Sequence, residues 1–213
     1  FPAPFLTNHD QMRVRRFMGE DPKRARLAAA VLLAMPGSPF LYYGEEIGMQ
    51  GGEEARDEDK RTPMRWTPTG PGFGFTTAPR TWYQRETGTL PTELPGVDVE
   101  TQRADPGSLF RLYQRLLSLR RAEPALAAGK LELPAIEKPG RGTIAVLRTQ
   151  AGSRVLFVAN LHTEAAPPLV VRLEARKIRV LFQEGAVAQP TVEGGQLAIP
   201  PMGPQSFAFL ALD

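Results

Sequence analysis

The order of the apolar segments places the strongest constraint on how this chain folds. Phe5 and Leu6 have the form of a short buried strand, residues 22–35 have the composition of a buried helix, and residues 39–43 (PFLYY) resemble a second strand. Strand, helix and strand within about 40 residues suit a parallel βαβ unit. The sequence therefore predicts an α/β fold for the first part of the chain.

Two predicted helices have residues at their ends that favour the start and the end of a helix. Asp21 offers an N-cap oxygen, Pro22 suits the first helical position, and Pro36 ends the Ala- and Leu-rich segment between them. Ser108 can cap a later helix, which Pro124 stops. Because its apolar residues share one face at helical spacing, the later helix is expected to pack against another element. These apolar residues are Leu109, Leu112, Tyr113, Leu116 and Leu119.

The pattern changes near Lys130 to short β-branched runs separated by Gly and Pro, which predicts an antiparallel β-domain. The runs are TIAVLRT, SRVLFVANL, LVVRLE, KIRVLFQ, QLAIP and QSFAFLAL. We therefore expect one domain over residues 1–127 and a second over residues 128–213. Residues 44–107 of the first have little periodicity, and a segment of that length is expected to pack over a functional site.

Composition excludes several classes of function. Lys and Arg total 26 against 23 for Asp and Glu, without any run of five like charges, so no nucleic-acid partner is indicated. The longest apolar stretch, residues 27–35, is shorter than the roughly 20 residues of a membrane-spanning helix, so no membrane partner is expected. With only two His and no Cys, the chain is expected to have no metal site and no cofactor. The lack of Cys is also compatible with a cytoplasmic location.

The first residues, FPAPFLTNHD, have neither an initiator Met nor the features of a signal peptide. They have the appearance of a chain that begins within a longer protein.

Four motifs together resemble the last third of α-amylase superfamily glycoside hydrolases. They are FLTNHD, GSPFLYYGEEIGM, RTPMRW and ADPGSLFRLYQRLLSLRR, and they occur in the family's order. The resemblance implies the last two βα units of a (β/α)8 TIM barrel followed by a C-terminal antiparallel β-sandwich. In that barrel the active site lies on loops at the C-terminal ends of the strands, where the resemblance places Asn8, His9 and Asp10.

The resemblance also implies a role for each residue of the Asn-His-Asp motif. Retaining glycosidases break the bond with a carboxylate nucleophile and a carboxylic acid. The family adds a third carboxylate, here Asp10, which stabilises the transition state, while His9 and Asn8 bind the substrate. Without the other motifs, a His-Asp pair would be interpreted as a polar strand end or a helix cap.

Asp57 and Arg61 resemble the family's Asp-x-x-x-Arg pair, which binds distal hydroxyls of the sugar. The alternative is a surface ion pair in a charge-rich segment. Glu58 or Asp59 could take the role of the carboxylate, and Arg56 is a weaker candidate for the cation.

No segment of the chain resembles the strands that carry the family's nucleophile and general acid. Residues 42–46 (YYGEE) form a family block that we interpret as mostly structural, because its backbone must turn sharply and Gly44 eases such a turn. Glu45 and Glu46 do not replace the missing catalytic pair, because adjacent strand positions point to opposite faces and cannot flank one bond. Aromatic residues of the long segment could stack on sugars or pack in the core. These are Trp66, Phe73, Phe75, Trp82 and Tyr83.

The sequence therefore predicts a fragment of a retaining enzyme, inactive alone, that hydrolyses or transfers α-glucosidic bonds in maltooligosaccharides or related α-glucosides. TPMRW and GFTTAP are similar to α-glucosidase, oligo-glucosidase and trehalose-synthase relatives. The expected partners are an α-glucan or α-glucoside and either the missing N-terminal barrel portion or another copy of the chain. The alternative is a non-catalytic carbohydrate-binding or scaffold member of the superfamily.

Overall fold

The computed structural model describes residues 2–19, 21–53, 56–137 and 139–213, which form two compact units. One, here called the loop unit, combines Phe5–Ala28 and Phe40–Arg115. The other, here called the sheet unit, combines Phe1–Pro4, Ala29–Pro39 and Leu116–Asp213. Each unit is assembled from separate stretches of chain, so these units do not test the expected sequential domains, 1–127 and 128–213, which stay a prediction.

Short helices make up much of the described chain before residue 130. The α-helices are α1 (Val14–Met18), α2 (Pro22–Ala34), α3 (Asp57–Lys60), α4 (Trp82–Thr87), α5 (Val99–Ala104), α6 (Leu109–Ala122) and α7 (Pro124–Ala128). The irregular segment 44–107 thus contains α3, α4, α5 and a 3-10 helix at Pro71–Gly74, while its residues Glu54 and Ala55 lie outside the described part. No helix within the described ranges is both long and apolar enough to cross a bilayer.

Both helix-start predictions are confirmed. The Asp21 carboxylate accepts a hydrogen bond from the Lys23 N–H at 3.0 Å, just before α2 begins at Pro22. The Ser108 hydroxyl accepts from the Arg111 N–H at 3.2 Å at the start of α6. Each side-chain oxygen satisfies a backbone donor that has no partner within its helix. The predicted face of α6 is buried at Leu112, Tyr113 and Leu116.

The two predicted N-terminal strands form only a single backbone bridge with each other. Phe5 and Phe40 form an isolated parallel bridge, so the predicted orientation is present but no ladder extends from it. Phe5 is 46% exposed, against the burial expected of its strand, and Phe40 is 63% exposed. A buried parallel strand requires hydrogen-bonded neighbours on its edges. The described residues provide one such neighbour for each segment.

The predicted antiparallel strands are present in the sheet unit. Their bounds are β1 (Lys130–Glu132), β2 (Ile136–Glu137), β3 (Thr143–Gln150), β4 (Ser153–Asn160), β5 (Leu169–Val171), β6 (Ile178–Glu184), β7 (Thr191–Glu193), β8 (Gln196–Ile199) and β9 (Phe207–Leu212). One sheet has the order β1-β3-β4-β9-β6 and the other β2-β5-β8-β7. All six predicted runs form strands, whereas the short β1, β2 and β7 were not predicted.

Alternating residues of both sheets form one hydrophobic core. Leu156 and Val158 of β4 share a buried cluster with Leu169 of β5 and Leu197 of β8. The opposite face of β4 is buried as well: Phe157 is fully buried and its ring centroid lies 4.8 Å from that of Phe209. Both faces of β4 are therefore covered, which explains its almost continuous apolar sequence.

Two buried arginines hold the C-terminal carbonyls of α2 within the sheet unit. Arg148 donates to the Ala34 carbonyl at 2.7 Å, and Arg120 donates to the Leu33 and Met35 carbonyls at 2.8 Å each. The last carbonyls of a helix lack partners within it and carry partial negative charge, so guanidinium donors satisfy them.

Candidate functional site

The Asn8-His9-Asp10 segment forms a turn between the Phe5 bridge and α1. The Asn8 side-chain oxygen accepts the Asp10 backbone N–H at 2.9 Å, and the Asn8 carbonyl accepts the Gln11 N–H at 3.3 Å. An Asx turn of this kind is a local property of Asn. Asn8 thus shapes the turn, and the His9 and Asp10 side chains are 63% and 66% exposed.

Arg61 joins this turn to α3. Its Nη2 lies 3.3 Å from Asp10 Oδ1 and 3.2 Å from Asp57 Oδ2, and its Nε donates to the His9 carbonyl at 3.1 Å. His9 Nε2 lies 3.4 Å from the same Asp10 oxygen. The five residues named from the sequence therefore form one cluster, although Arg61 is 51 residues from Asp10.

Helix geometry decides which carboxylate pairs with Arg61. Asp57 precedes Arg61 by four residues, so the two side chains lie on the same face. Asp59 points elsewhere: it is 1% exposed, accepts from the Tyr83 hydroxyl at 2.6 Å and pairs with Arg56 at 3.3 Å. Asp59 therefore links α3 to α4 through Tyr83, and Arg56 is the charge partner of Asp59.

The charge state of Asp57 suits hydrogen-bond acceptance. The Lys60 ammonium, 3.1 Å away, and then the charge of Arg61 hold the pKa of Asp57 below its ordinary value. For Asp59, burial raises the pKa, but hydrogen bonds from Tyr83 and Arg56 outweigh burial and the net shift is downward. A carboxylate with a lowered pKa stays ionised at neutral pH, so it accepts hydrogen bonds and does not act as a general acid.

The cluster faces solvent and combines acceptors with fixed donors. Exposed ion pairs contribute little to stability, because water screens their charges. Carboxylate oxygens can accept hydrogen bonds from hydroxyls, while a guanidinium and an imidazole can donate them. The arrangement is therefore suited to a ligand with several vicinal hydroxyl groups.

Glu45 and Glu46 lie in successive turns, which corrects the strand geometry assumed for them. The Glu45 N–H donates to the Tyr42 carbonyl and the Gly48 N–H to the Glu45 carbonyl, both at 3.0 Å. Glu45 is buried and accepts the Tyr113 hydroxyl at 2.7 Å. Burial raises the pKa of Glu45 to about 7 and also raises that of Glu46. Glu45 thus anchors the turn to α6.

The aromatic residues of the long segment divide into packed and exposed groups. Tyr83 is 3% exposed, and the Arg65 guanidinium carbon lies 3.9 Å from the centroid of Phe73. Trp66, Phe75 and Trp82 are between 42% and 50% exposed. Core packing is therefore the role of Tyr83, whereas the exposed three remain candidates for stacking.

Sequence reasoning placed Tyr42 and Tyr43 in a structural block and missed Arg13. Arg13 is 2% exposed and donates to the Tyr43 and Thr62 carbonyls, which are 30 and 49 residues further along the chain. An Arg three residues after the Asn-His-Asp motif was the one local sign. Among the described residues, no group of three or more His, Cys, Asp or Glu side chains could hold a metal ion.

Comparison with known proteins identifies the family. The model described as "Alpha amylase, catalytic domain" matches residues 1–129. The chain is 36% identical over 160 residues to Alpha-amylase 3 of Dictyoglomus thermophilum, covering 75% of this chain and 30% of that protein. It is 34% identical over 205 residues to the trehalose synthase of Thermus thermophilus, covering 94% of this chain and 21% of that protein.

The likeness extends to solved structures. The crystal structure of an α-amylase from H. orenii matches with a TM-score of 0.73 and 28% identity, over 99% of this chain and 40% of that one. The chain spans less than a third of the length of the two curated relatives above. On the family-model match and these identities, the chain belongs to the α-amylase family of glycoside hydrolases.

Proposed function

We propose that this chain supplies the sugar-binding side of the active site of a retaining enzyme that hydrolyses or transfers α-glucosidic bonds. The observation that carries the proposal is the exposed cluster in which Arg61 contacts Asp10, Asp57 and the His9 carbonyl. The relatives named above, an α-amylase and a trehalose synthase, support an α-glucan or α-glucoside as the substrate.

Each member of the cluster has a distinct part in the proposal. Asp10 accepts hydrogen bonds from hydroxyls of the glucosyl unit being cleaved and stabilises the positive charge that develops on it. His9 donates to a hydroxyl of the same unit, and Asp57 with Arg61 binds its distal hydroxyls. Asn8 holds the turn that presents His9 and Asp10.

The proposal places residues 1–127 as the last two βα units of a (β/α)8 barrel and residues 128–213 as a β-sandwich. The parallel orientation of the Phe5–Phe40 bridge, the match of the catalytic-domain model to residues 1–129, and the common core of the two antiparallel sheets support it. The nucleophile and the general acid then come from polypeptide outside these 213 residues, so the chain alone is inactive.

The two histidines allow a direct test by NMR. We expect maltotriose to shift the imidazole signals of His9 in the cluster, while those of His162 in the sheet unit stay in place. Asp10→Asn is expected to weaken binding about 10- to 100-fold, because a charge-assisted hydrogen bond contributes about 1.5–3 kcal/mol. Glu100→Gln, on the surface of α5, is the matched control and should bind like the unchanged chain.

Two controls complete this experiment. Cellotriose, with β-linkages, should leave both histidines unmoved, and an aryl α-glucoside should not be hydrolysed by the chain alone. Turnover by the pure chain would contradict its proposed incompleteness. Absence of any His9 response at millimolar maltotriose would contradict the proposed sugar site.

A further inference from the structure

Arg13 is a buried arginine that follows the Asn-His-Asp turn and contacts the chain next to Arg61, at Thr62. It follows Asp10 by three residues and is 2% exposed. Its guanidinium carbon lies 4.8 Å from the ring centroid of Tyr42 and 4.6 Å from that of Tyr43. Its Nη1 donates to the Tyr43 carbonyl at 2.5 Å and its Nη2 to the Thr62 carbonyl at 3.3 Å.

The same contacts hold the backbone on both sides of Arg61. The Thr62 carbonyl also accepts the Tyr43 hydroxyl at 2.9 Å, and the Lys60 carbonyl accepts the Tyr42 hydroxyl at 3.1 Å. The residues before and after Arg61 are thus tied to the two tyrosines that flank Arg13. The half-exposed Arg61 side chain reaches His9 and Asp10 from this anchored backbone.

We propose that Arg13 is a positioning residue, which sets the Arg61 guanidinium against His9 and Asp10 by holding the Thr62 carbonyl and the adjacent tyrosines. The importance of this positioning for sugar binding rests on the function proposed above. The contact between Arg13 and Thr62 itself does not.

The energetics favour a geometric role over a stabilising one. Removing a guanidinium from water is unfavourable, and Arg13 Nε is buried with no hydrogen-bond partner among the residues that the structure describes. Burial raises the pKa values of Glu45, Glu46 and Glu93, and the charge of Arg13 opposes the rise in each, so these carboxyls offset part of the cost. An apolar side chain would avoid the cost but could not hold two carbonyls from different segments.

The ligand-free test uses His9 as a reporter and Arg13→Lys as the change. Lysine keeps the charge but cannot bond two carbonyls in the planar fork of arginine. We expect the His9 imidazole signals to move in the same direction as in Arg61→Met, by at least half as much, with His162 unmoved. Arg16→Lys is the matched control, since Arg16 also donates to loop-unit carbonyls but at Gln50 and Gly51.

A second variant covers the case in which Arg13→Lys disturbs the whole fold and moves both histidines. Tyr43→Phe removes only the hydroxyl that donates to Thr62, and it should move the His9 signals in the same direction by a smaller amount. If neither variant moves His9 while His162 keeps its position, Arg13 does not position the cluster and the proposal is overturned.

The ligand arm separates the two proposals. With maltotriose, Arg13→Lys is expected to raise the Kd about threefold to tenfold, which is less than the loss of a direct charge-assisted hydrogen bond, because Arg13 acts on the sugar only through Arg61. If the unchanged chain does not bind, the sugar site fails, and the ligand-free shifts still decide the role of Arg13. If the unchanged chain binds and Arg13→Lys binds equally well with unmoved His9 signals, only the positioning role fails.

Discussion

Phe157→Ala is expected to lower the free energy of unfolding of the sheet unit by about 3–5 kcal/mol, the usual cost of removing a fully buried aromatic side chain. Phe157 lies in the middle of β4 with no solvent exposure, and the rings of Phe207 and Phe209 lie 6.2 and 4.8 Å away, centroid to centroid. The closely packed neighbours cannot collapse into the space left by the ring. The cost of the cavity is therefore added to the lost free energy of burying the ring.

The measurement is urea unfolding with a separate probe for each unit, because two units need not unfold together. The His162 NMR signals report on the sheet unit, and fluorescence of Trp66 and Trp82 reports on the loop unit. Phe157→Leu should cost less than about 1.5 kcal/mol, and Phe17→Ala, at a residue 68% exposed, should cost little. Equal losses in all three variants would rule out burial of Phe157 as the cause.

Glu45 is expected to make the stability of the loop unit fall as the pH rises. Burial raises its pKa from 4.5 to about 7 in the folded chain, so the folded state binds a proton that the unfolded state has released. The contribution of protonated Glu45 to the stability of the loop unit is fully present below pH 4.5 and is lost as the pH rises to about 7. The loss is about 3 kcal/mol, since one pKa unit corresponds to about 1.4 kcal/mol.

Comparison of Glu45→Gln with the unchanged chain isolates this effect, because other titrating groups are common to both. Glutamine keeps the acceptor for Tyr113 and cannot ionise. We follow unfolding by tryptophan fluorescence at several pH values. Between about pH 4 and pH 8 the unfolding free energy of the variant should rise by about 3 kcal/mol relative to that of the unchanged chain. Glu100→Gln on the surface should show no such gain. A difference independent of pH would refute the titration of buried Glu45.

Local signals account for the parts of the fold that were predicted. The starts of α2 and α6 depend on Asp21 and Ser108, each of which caps a backbone donor two or three residues away. The long strands β3, β4 and β9 follow from apolar β-branched and aromatic runs. The strand at residues 39–43 was predicted from the same kind of run but forms only the Phe40 bridge, because pairing depends on distant neighbours.

The residues of the candidate site were predicted from the sequence, but the contacts that join them were not. Asn8, His9, Asp10, Asp57 and Arg61 were named from family motifs, and their grouping in one cluster follows from the structure. The choice of Asp57 over Asp59 depended on the contacts of each side chain, since Asp57 pairs with Arg61 and Asp59 with Arg56. Asp59 lies 2.6 Å from the hydroxyl of Tyr83, 24 residues further along the chain, which no local pattern indicates.

By itself the sequence determined the helix ends, the antiparallel strands, the family and the members of the candidate site, because these depend on spacing over a few residues or on recognisable motifs. The tertiary structure alone decided that Arg61 bridges Asp10 and Asp57, that Glu45 is buried against Tyr113, and that Arg13 contacts Thr62. These contacts join side chains to groups as far as 68 residues away. Contacts between residues so far apart in the sequence depend on how the segments pack. Buried polar groups find their partners in that packing, and such partners leave no periodic signal in the sequence.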